Sequence, residues 1–231
     1  MMRSDCGGLH MAVANAMTLL RPSGAMWLQS ARALVVADLH FEKGSFFAMR
    51  GQMLPPYDTG DTLDRLEAEI DRLAPAIVVC LGDSFHDADG EARLSARDAA
   101  RIAGLGAGRT LVWIAGNHDE AAGFSLTGEV ADEISIGGLV LRHEPLPGAQ
   151  AGEAAGHLHP CARVSHRGLS VRRRCFVTDG TRIVLPAFGS FTGGLNVRDV
   201  AYAALFETPP VAVALGKERV HAVGWKSLRP D

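Results

Sequence analysis

The chain has 231 residues, 47% of them hydrophobic, and a formal net charge of −3. That length and apolar content support a folded core and exclude disorder as the main state, while the near-balanced charge excludes a global footprint for nucleic acid, so any polyanion must be held locally or by metal. No run approaches the roughly 20 apolar residues of a membrane span, residues 1–10 lack the pattern of a signal peptide, and Cys6, Cys80, Cys161 and Cys175 form no C-x-x-C pair, which together read as a cytoplasmic protein without membrane association, its N-terminus ragged over about residues 1–10.

Residues 33–37, 76–81 and 110–115 are short apolar runs of the kind that form buried strands. Between the first two, residues 61–73 carry Leu63, Leu66, Ile70 and Leu73 at helical spacing, after turn residues Pro55, Pro56 and Gly60. Residues 95–105 predict a second helix, with Ser95 as cap and Gly104 as stop. The rhythm is β-α-β. The second half changes character: 133–143, 170–177, 182–187, 210–215 and 219–223 are strand-like, joined by Gly137-Gly138, Asp179-Gly180 and Gly216-Lys217, which predicts mainly antiparallel hairpins. Two sheets packed face to face with helices outside satisfy both halves as an α/β sandwich, and nothing in the linkers marks a domain cut, so 1–231 reads as a single domain.

Each strand-like run of the first half ends in polar residues that a core strand has no reason to place there. These are Asp38-Leu39-His40, then Gly82-Asp83-Ser84-Phe85-His86-Asp87, then Gly116-Asn117-His118-Asp119. Ligands of α/β sheets gather beyond the carboxyl ends of strands, so the three tips converge on one crevice. His143 and Gly156-His157-Leu158-His159 follow later. Asp38 and His40, one residue apart on an extended strand end, point the same way and can grip one cation, and His157 and His159 repeat that spacing. Two cations about 3.5–4 Å apart repel, and a bridging carboxylate such as Asp83 lets both stay bound. Oxygen and nitrogen donors without thiolate favour manganese, iron or zinc. Singly each piece is weak; the five-part order is not.

That order resembles the calcineurin-like metallophosphoesterase superfamily. The resemblance implies a four-layer α/β/β/α sandwich, two mixed sheets flanked by helices, with Asp38, His40, Asp83 and His159 on one divalent ion and Asp83, Asn117, His143 and His157 on the other. It also implies that His118 contacts the substrate phosphate. Protein phosphatases of the superfamily carry G-D-x-x-D-R, whereas here the matching stretch is G-D-x-F-H, ending in His86, which is similar to the Mre-type nucleases; the alternative is a histidine that only hydrogen-bonds its loop. Flanking segments, including Ala37 to Gly44, His143-Glu144-Pro145 and Leu185 to Gly194, resemble the bacterial ligase-associated DNA-damage-response endonucleases of the PdeM type. That likeness implies manganese-dependent cleavage of DNA in repair, beside a DNA ligase, a helicase and a processing exonuclease.

On this reading His118, aided by His86, is the catalytic pair at the leaving oxygen. Arg163, Arg167, Arg172, Arg173 and Arg174 follow His159 closely and without an intervening acid after Arg163, a patch that reads equally as phosphate contacts or as a solvated hairpin. A small-molecule phosphodiesterase or nucleotide pyrophosphatase needs the same metal ligands. A non-catalytic scaffold of this fold would have lost some of them, and here every one is present.

Overall fold

The computed structural model describes residues 2–117, 127–166 and 169–231, the side chain of His166 excepted. In chain order the first part holds β1 (Met2–Arg3), β2 (Leu9–Val13), β3 (Ala16–Leu20), β4 (Met26–Leu28), β5 (Ala33–Ala37), α1 (Lys43–Ala48), α2 (Asp58–Leu73), β6 (Ile77–Leu81), α3 (Gly90–Arg93), α4 (Ala96–Gly104), β7 (Thr110–Ile114) and β8 (Glu129–Ala131). The second part holds β9 (Glu133–Ile136), β10 (Leu139–Arg142), β11 (Glu153–Ala155), β12 (Pro160–His166), β13 (Leu169–Thr178), β14 (Ile183–Val184), β15 (Leu195–Asn196), β16 (Val211–Leu215) and β17 (Val220–Gly224). Among the described residues β1 to β8 make one sheet in sequence order, antiparallel as far as β5 and parallel from β5 to β8. The others make a mixed sheet in the order β15-β12-β13-β14-β11-β10-β9, with β16 on β13 and β17 on β16.

Why β5, β6 and β7 lack the alternation of a half-exposed strand is plain from their packing. Val35, Ala37, Val79, Leu81, Val112 and Ile114 face the second sheet and meet Leu139, Leu141, Ala154, Phe176, Ile183 and Val213 there. Leu34, Val36, Val78, Cys80, Leu111 and Trp113 face the opposite way, against Leu63, Leu66 and Ile70 of α2 and Ile102 of α4. A parallel strand covered on both faces must be apolar throughout, and each of its large side chains contributes roughly 1.5–3 kcal/mol on burial. Behind the second sheet a third cluster, Cys175, Val177, Ala212 and Ala214, is covered by Tyr202, Leu205 and Leu228. The layers are thus helix, sheet, sheet and a thin cover, which among the described residues consists of the 3-10 turns Val200–Tyr202 and Trp225–Ser227 with their connecting chain.

Two local departures from the expected elements have physical reasons. The N-terminal segment expected to be ragged is ordered by pairing, β1 on β2, because Leu9, Met11 and Val13 alternate into the core and carry the chain before them into register. Helix α2 starts at Asp58, and Gly60 lies inside it; the Asp58 carboxylate accepts from the Gly44 amide at 2.9 Å, which fixes the first turn. The Gly137-Gly138 turn behaves as its residues predict, with φ of 61° and 87° joining β9 to β10. No helix among the described residues is long and apolar enough to cross a membrane.

Candidate metal centre

The chain leaves β5 at Ala37 and turns sharply. Asp38, His40 and Glu42 have φ of 54°, 45° and 64°, while Leu39 and Phe41 between them are buried in the helix-side core. Asp83, His157 and His159 are also left-handed, with φ of 45°, 65° and 46°. The expectation that Asp38 and His40 point together from an extended strand end is therefore corrected: it is left-handed backbone that converges these side chains. Asp and His enter this region more readily than bulky residues, yet each such residue costs on the order of 1–3 kcal/mol, which the rigid surroundings must offset.

Those surroundings are a set of backbone hydrogen bonds between tips. The amides of His40 and Phe41 donate to the carbonyls of Asp83 and Ser84, each at 2.9 Å, and the His86 amide donates back to Phe41 at 3.0 Å. From the second sheet the amides of Phe188 and Gly189 donate to Ala37 and Asp38 at 2.7 and 3.0 Å. The His157 amide donates to both Asp38 carboxylate oxygens at 3.0 and 3.1 Å. Small residues allow the approach: a Cβ on Gly82 would fall on the His143 ring, and one on Gly156 would come within 2.7 Å of Asp38 Oδ2.

Six side chains meet in this crevice. Donor atoms of Asp38, His40, Asp83 and His159 lie within 4.8 Å of one another, and so do those of Asp83, His143 and His157. His159 Nε2 is 3.2 Å from His40 Nε2 and 3.3 Å from Asp38 Oδ1. His143 Nε2 is 3.1 Å from His157 Nδ1 and 3.4 Å from Asp83 Oδ1. Asp83 turns its other oxygen, Oδ2, to His40 Nε2 at 3.8 Å, so one carboxylate faces both groups. His143 Nδ1 faces the Leu81 carbonyl at 3.1 Å; donating there, it leaves Nε2 with its lone pair toward Asp83. Burial and the neighbouring His143 push the His157 imidazole below its ordinary pKa, which favours the neutral, ligating form. Four imidazoles with nitrogens in near contact thus surround two buried carboxylates. Divalent cations fit this donor set, which is oxygen and nitrogen without thiolate.

Asn117 is exposed and lies beside the second group, lining with His143 and Glu144 a cavity of about 350 Å³. His86 sits behind His40, with Nδ1 to Nδ1 of 3.5 Å, and packs between Phe46 and Phe47 at ring separations of 4.6 and 5.6 Å. His118 and Arg167 lie outside the described residues. The other arginines do not form one face, because β13 alternates: Arg172 and Arg174 share a side and Arg173 takes the other. Arg163, opposite Arg172, donates to Ser170 and Pro230; Arg172 pairs with Asp231 at 3.2 Å; Arg174 turns inward to the carbonyls of Ala187 and Thr192.

Two supports of the centre carry no sequence signal of their own. Thr59 on α2 donates its hydroxyl to Glu42 and accepts from the Glu42 amide, both at 2.9 Å, holding the first tip from the helix side. The Tyr202 hydroxyl donates to the carbonyl of Leu158, the residue between His157 and His159. Neither contact is local, so spacing in the sequence does not reveal it.

The donor set fits divalent ions, and comparison with known proteins supplies the class of enzyme. Residues 31–169 match the family model described as calcineurin-like phosphoesterase, more than half of the chain. The chain belongs to the calcineurin-like phosphoesterases and is a metallophosphoesterase, a hydrolase of phosphate esters. Among solved structures it is similar to the nuclease MPE of Pseudomonas putida, with 28% identity and a TM-score of 0.74 over 94% of this chain and all of that one. Yfce, a phosphoesterase from E. coli, aligns at 14% identity with a TM-score of 0.39, over 83% of this chain and 98% of that one. No curated protein matches the chain in sequence.

Proposed function

We propose that the chain is a manganese-dependent DNA endonuclease of DNA repair, built as one unit over residues 1–231. The observation that carries the metal assignment is Asp83, whose two oxygens face separate groups of histidines. Asp38, His40, Asp83 and His159 hold one ion, and Asp83, Asn117, His143 and His157 the other. The likeness to a nuclease across nearly the whole chain supports a polynucleotide as substrate.

Two divalent ions bound there would supply charge neutralisation for a phosphodiester and lower a water's pKa toward neutrality. The chain's own part is to orient and to move protons. Asp38 and Asp83 fix the position of the centre relative to both sheets. Leu81 O holds the ring of His143, and His157 N holds the carboxylate of Asp38. His86, with Phe46 and Phe47 packed against its ring, shares with His118 the delivery of a proton to the leaving oxygen. Its regulated setting in the cell is DNA repair beside a ligase, a helicase and a processing exonuclease.

The test is cleavage of circular single-stranded DNA by metal-stripped protein with manganese, magnesium or zinc restored, wild type beside Asp83→Ala. Nicking that requires manganese and Asp83 is expected, because a circle offers no end to an exonuclease. Hydrolysis of a generic phosphodiester reporter without nicking would move the substrate to small molecules.

A further inference from the structure

One cavity away from the metal centre is lined by an excess of positive charge. It has a volume of about 550 Å³, and its walls carry five cations, Arg21, Arg65, Arg72, Arg174 and Lys217, against two carboxylates, Glu69 and Glu218. Arg21 and Glu69 cancel, since they form a buried ion pair. Asp61, itself exposed, offsets Arg65 from outside the cavity at 3.5 Å. Arg72 and Lys217 are exposed and form no ion pair among the described residues. Once these pairs are set aside, Arg72, Arg174 and Lys217 stand around the hollow against Glu218, an excess of positive charge held close enough to repel.

The cavity is not remote from the chemistry. Arg65 donates to the Phe188 carbonyl at 2.6 Å and to the Ser190 hydroxyl, and Arg174 donates to Ala187 and Thr192. The same segment gives its Phe188 and Gly189 amides to Ala37 and Asp38, so one stretch of backbone separates the cations from the first tip. Near that tip Lys43 lies close enough to Arg174 that, after burial, the guanidinium charge helps push its amine below the ordinary value. In the other direction Arg65, Glu69 and Arg72 lie on one stripe of α2, at spacings of four and three residues. From Arg65 to Arg72 the stripe runs about 10 Å at the α-helical rise. Of the described arginines expected from the sequence to meet substrate, Arg174 alone lines this hollow.

We propose that this cavity is a phosphate-binding site that takes the backbone of the polynucleotide strand as it leaves the metal centre, with Arg72 and Lys217 making the outer contacts. The identity of the strand rests on the nuclease reading above; recognition of phosphate by the cavity stands on its own lining. Guanidinium forks match phosphate oxygens in pairs, and a lysine adds a point charge.

The experiment measures binding without cleavage. Wild type and the double variant Arg72→Ala/Lys217→Ala are compared in chelator with two probes, a labelled oligothymidylate across a salt series and inorganic phosphate by calorimetry. Melting temperature checks that both proteins are folded. Oligonucleotide affinity is expected to fall about tenfold in the variant, and the slope of log affinity against log salt to become shallower by about 1.4, two single-strand phosphate contacts. Loss of phosphate binding with oligonucleotide binding unchanged would overturn the strand path and assign the site to a free anion. Unchanged binding of both probes would overturn the site. Metal-dependent nicking by wild type is scored separately, so a protein that binds here but does not cut distinguishes failure of the nuclease reading from failure of this one.

Discussion

The hydroxyl of Tyr202 donates to the carbonyl of Leu158 at 3.1 Å, reaching from a 3-10 turn behind the second sheet to the one residue that separates His157 from His159. Tyr202 is 2% exposed, so the donor is shielded from water. Tyr202→Phe keeps the packing and deletes the donor. We expect a stability loss of about 0.5–1.5 kcal/mol by urea denaturation, and a weaker metal affinity because the tip that carries two histidines loosens. Retained metal affinity would show that the tip is fixed by its left-handed backbone alone.

Asp83 serves both groups and His143 only one, so their loss should differ in stoichiometry. By elemental analysis after gel filtration, Asp83→Ala is expected to carry less than one metal per chain, and His143→Ala about one. His86→Ala should keep both metals and lose turnover by roughly 10²–10⁴-fold, the range of a positioned proton donor. Metal loss in the His86 variant would mean that its contact with the Nδ1 of His40 orients a ligand.

Gly82 has φ of 63°, and a methyl there would land on the ring of His143. Gly82→Ala therefore combines about 1–2 kcal/mol of left-handed strain with displacement of a ligand. The expected outcome in calorimetry is a lower melting temperature together with loss of metal-induced stabilisation. A variant with normal metal response would place the clearance elsewhere.

Asp179 closes the turn between β13 and β14. Burial works to raise its carboxyl pKa, but the Thr181 hydroxyl and the amides of Thr181 and Arg182 donate to it and hold it below the ordinary 3.8. The folded state therefore binds this proton less readily than the unfolded chain. The stabilisation is present above pH 3.8 and is lost as pH falls through the lower folded value. The stability gap between wild type and Asp179→Asn, read from urea midpoints, should be constant near neutrality and shrink in that acid window.

The parallel strands were legible because burial on both faces removes every polar residue until the chain ends, which makes Asp38, Asp83 and Asn117 conspicuous. The β2–β3–β4 meander was not, since Met17, Thr18 and Ala16 dilute its alternation and Thr18 is buried by donating to Met11 O at 2.8 Å. The ligand types were legible, but their backbone was not. An extended tip and a left-handed one carry the same letters, and only contacts from Gly189 and Asp83 decide between them. The placement of the arginine run was hidden for a related reason: contiguity in a strand distributes side chains to both faces, and the partners of Arg172, Asp231 and Gly194, are far away in sequence.

Asp38, His40 and Asp83 hang from the first sheet, whereas His143, His157 and His159 hang from the second. A slip of one residue between the sheets is about 3.3 Å, as large as the gaps of 3.2 to 3.4 Å that now separate donor atoms facing each other across them. The centre is in effect a vernier on sheet docking. Individual sheets, however well formed, hold only half a site, so hydrolysis requires the two to be docked in register.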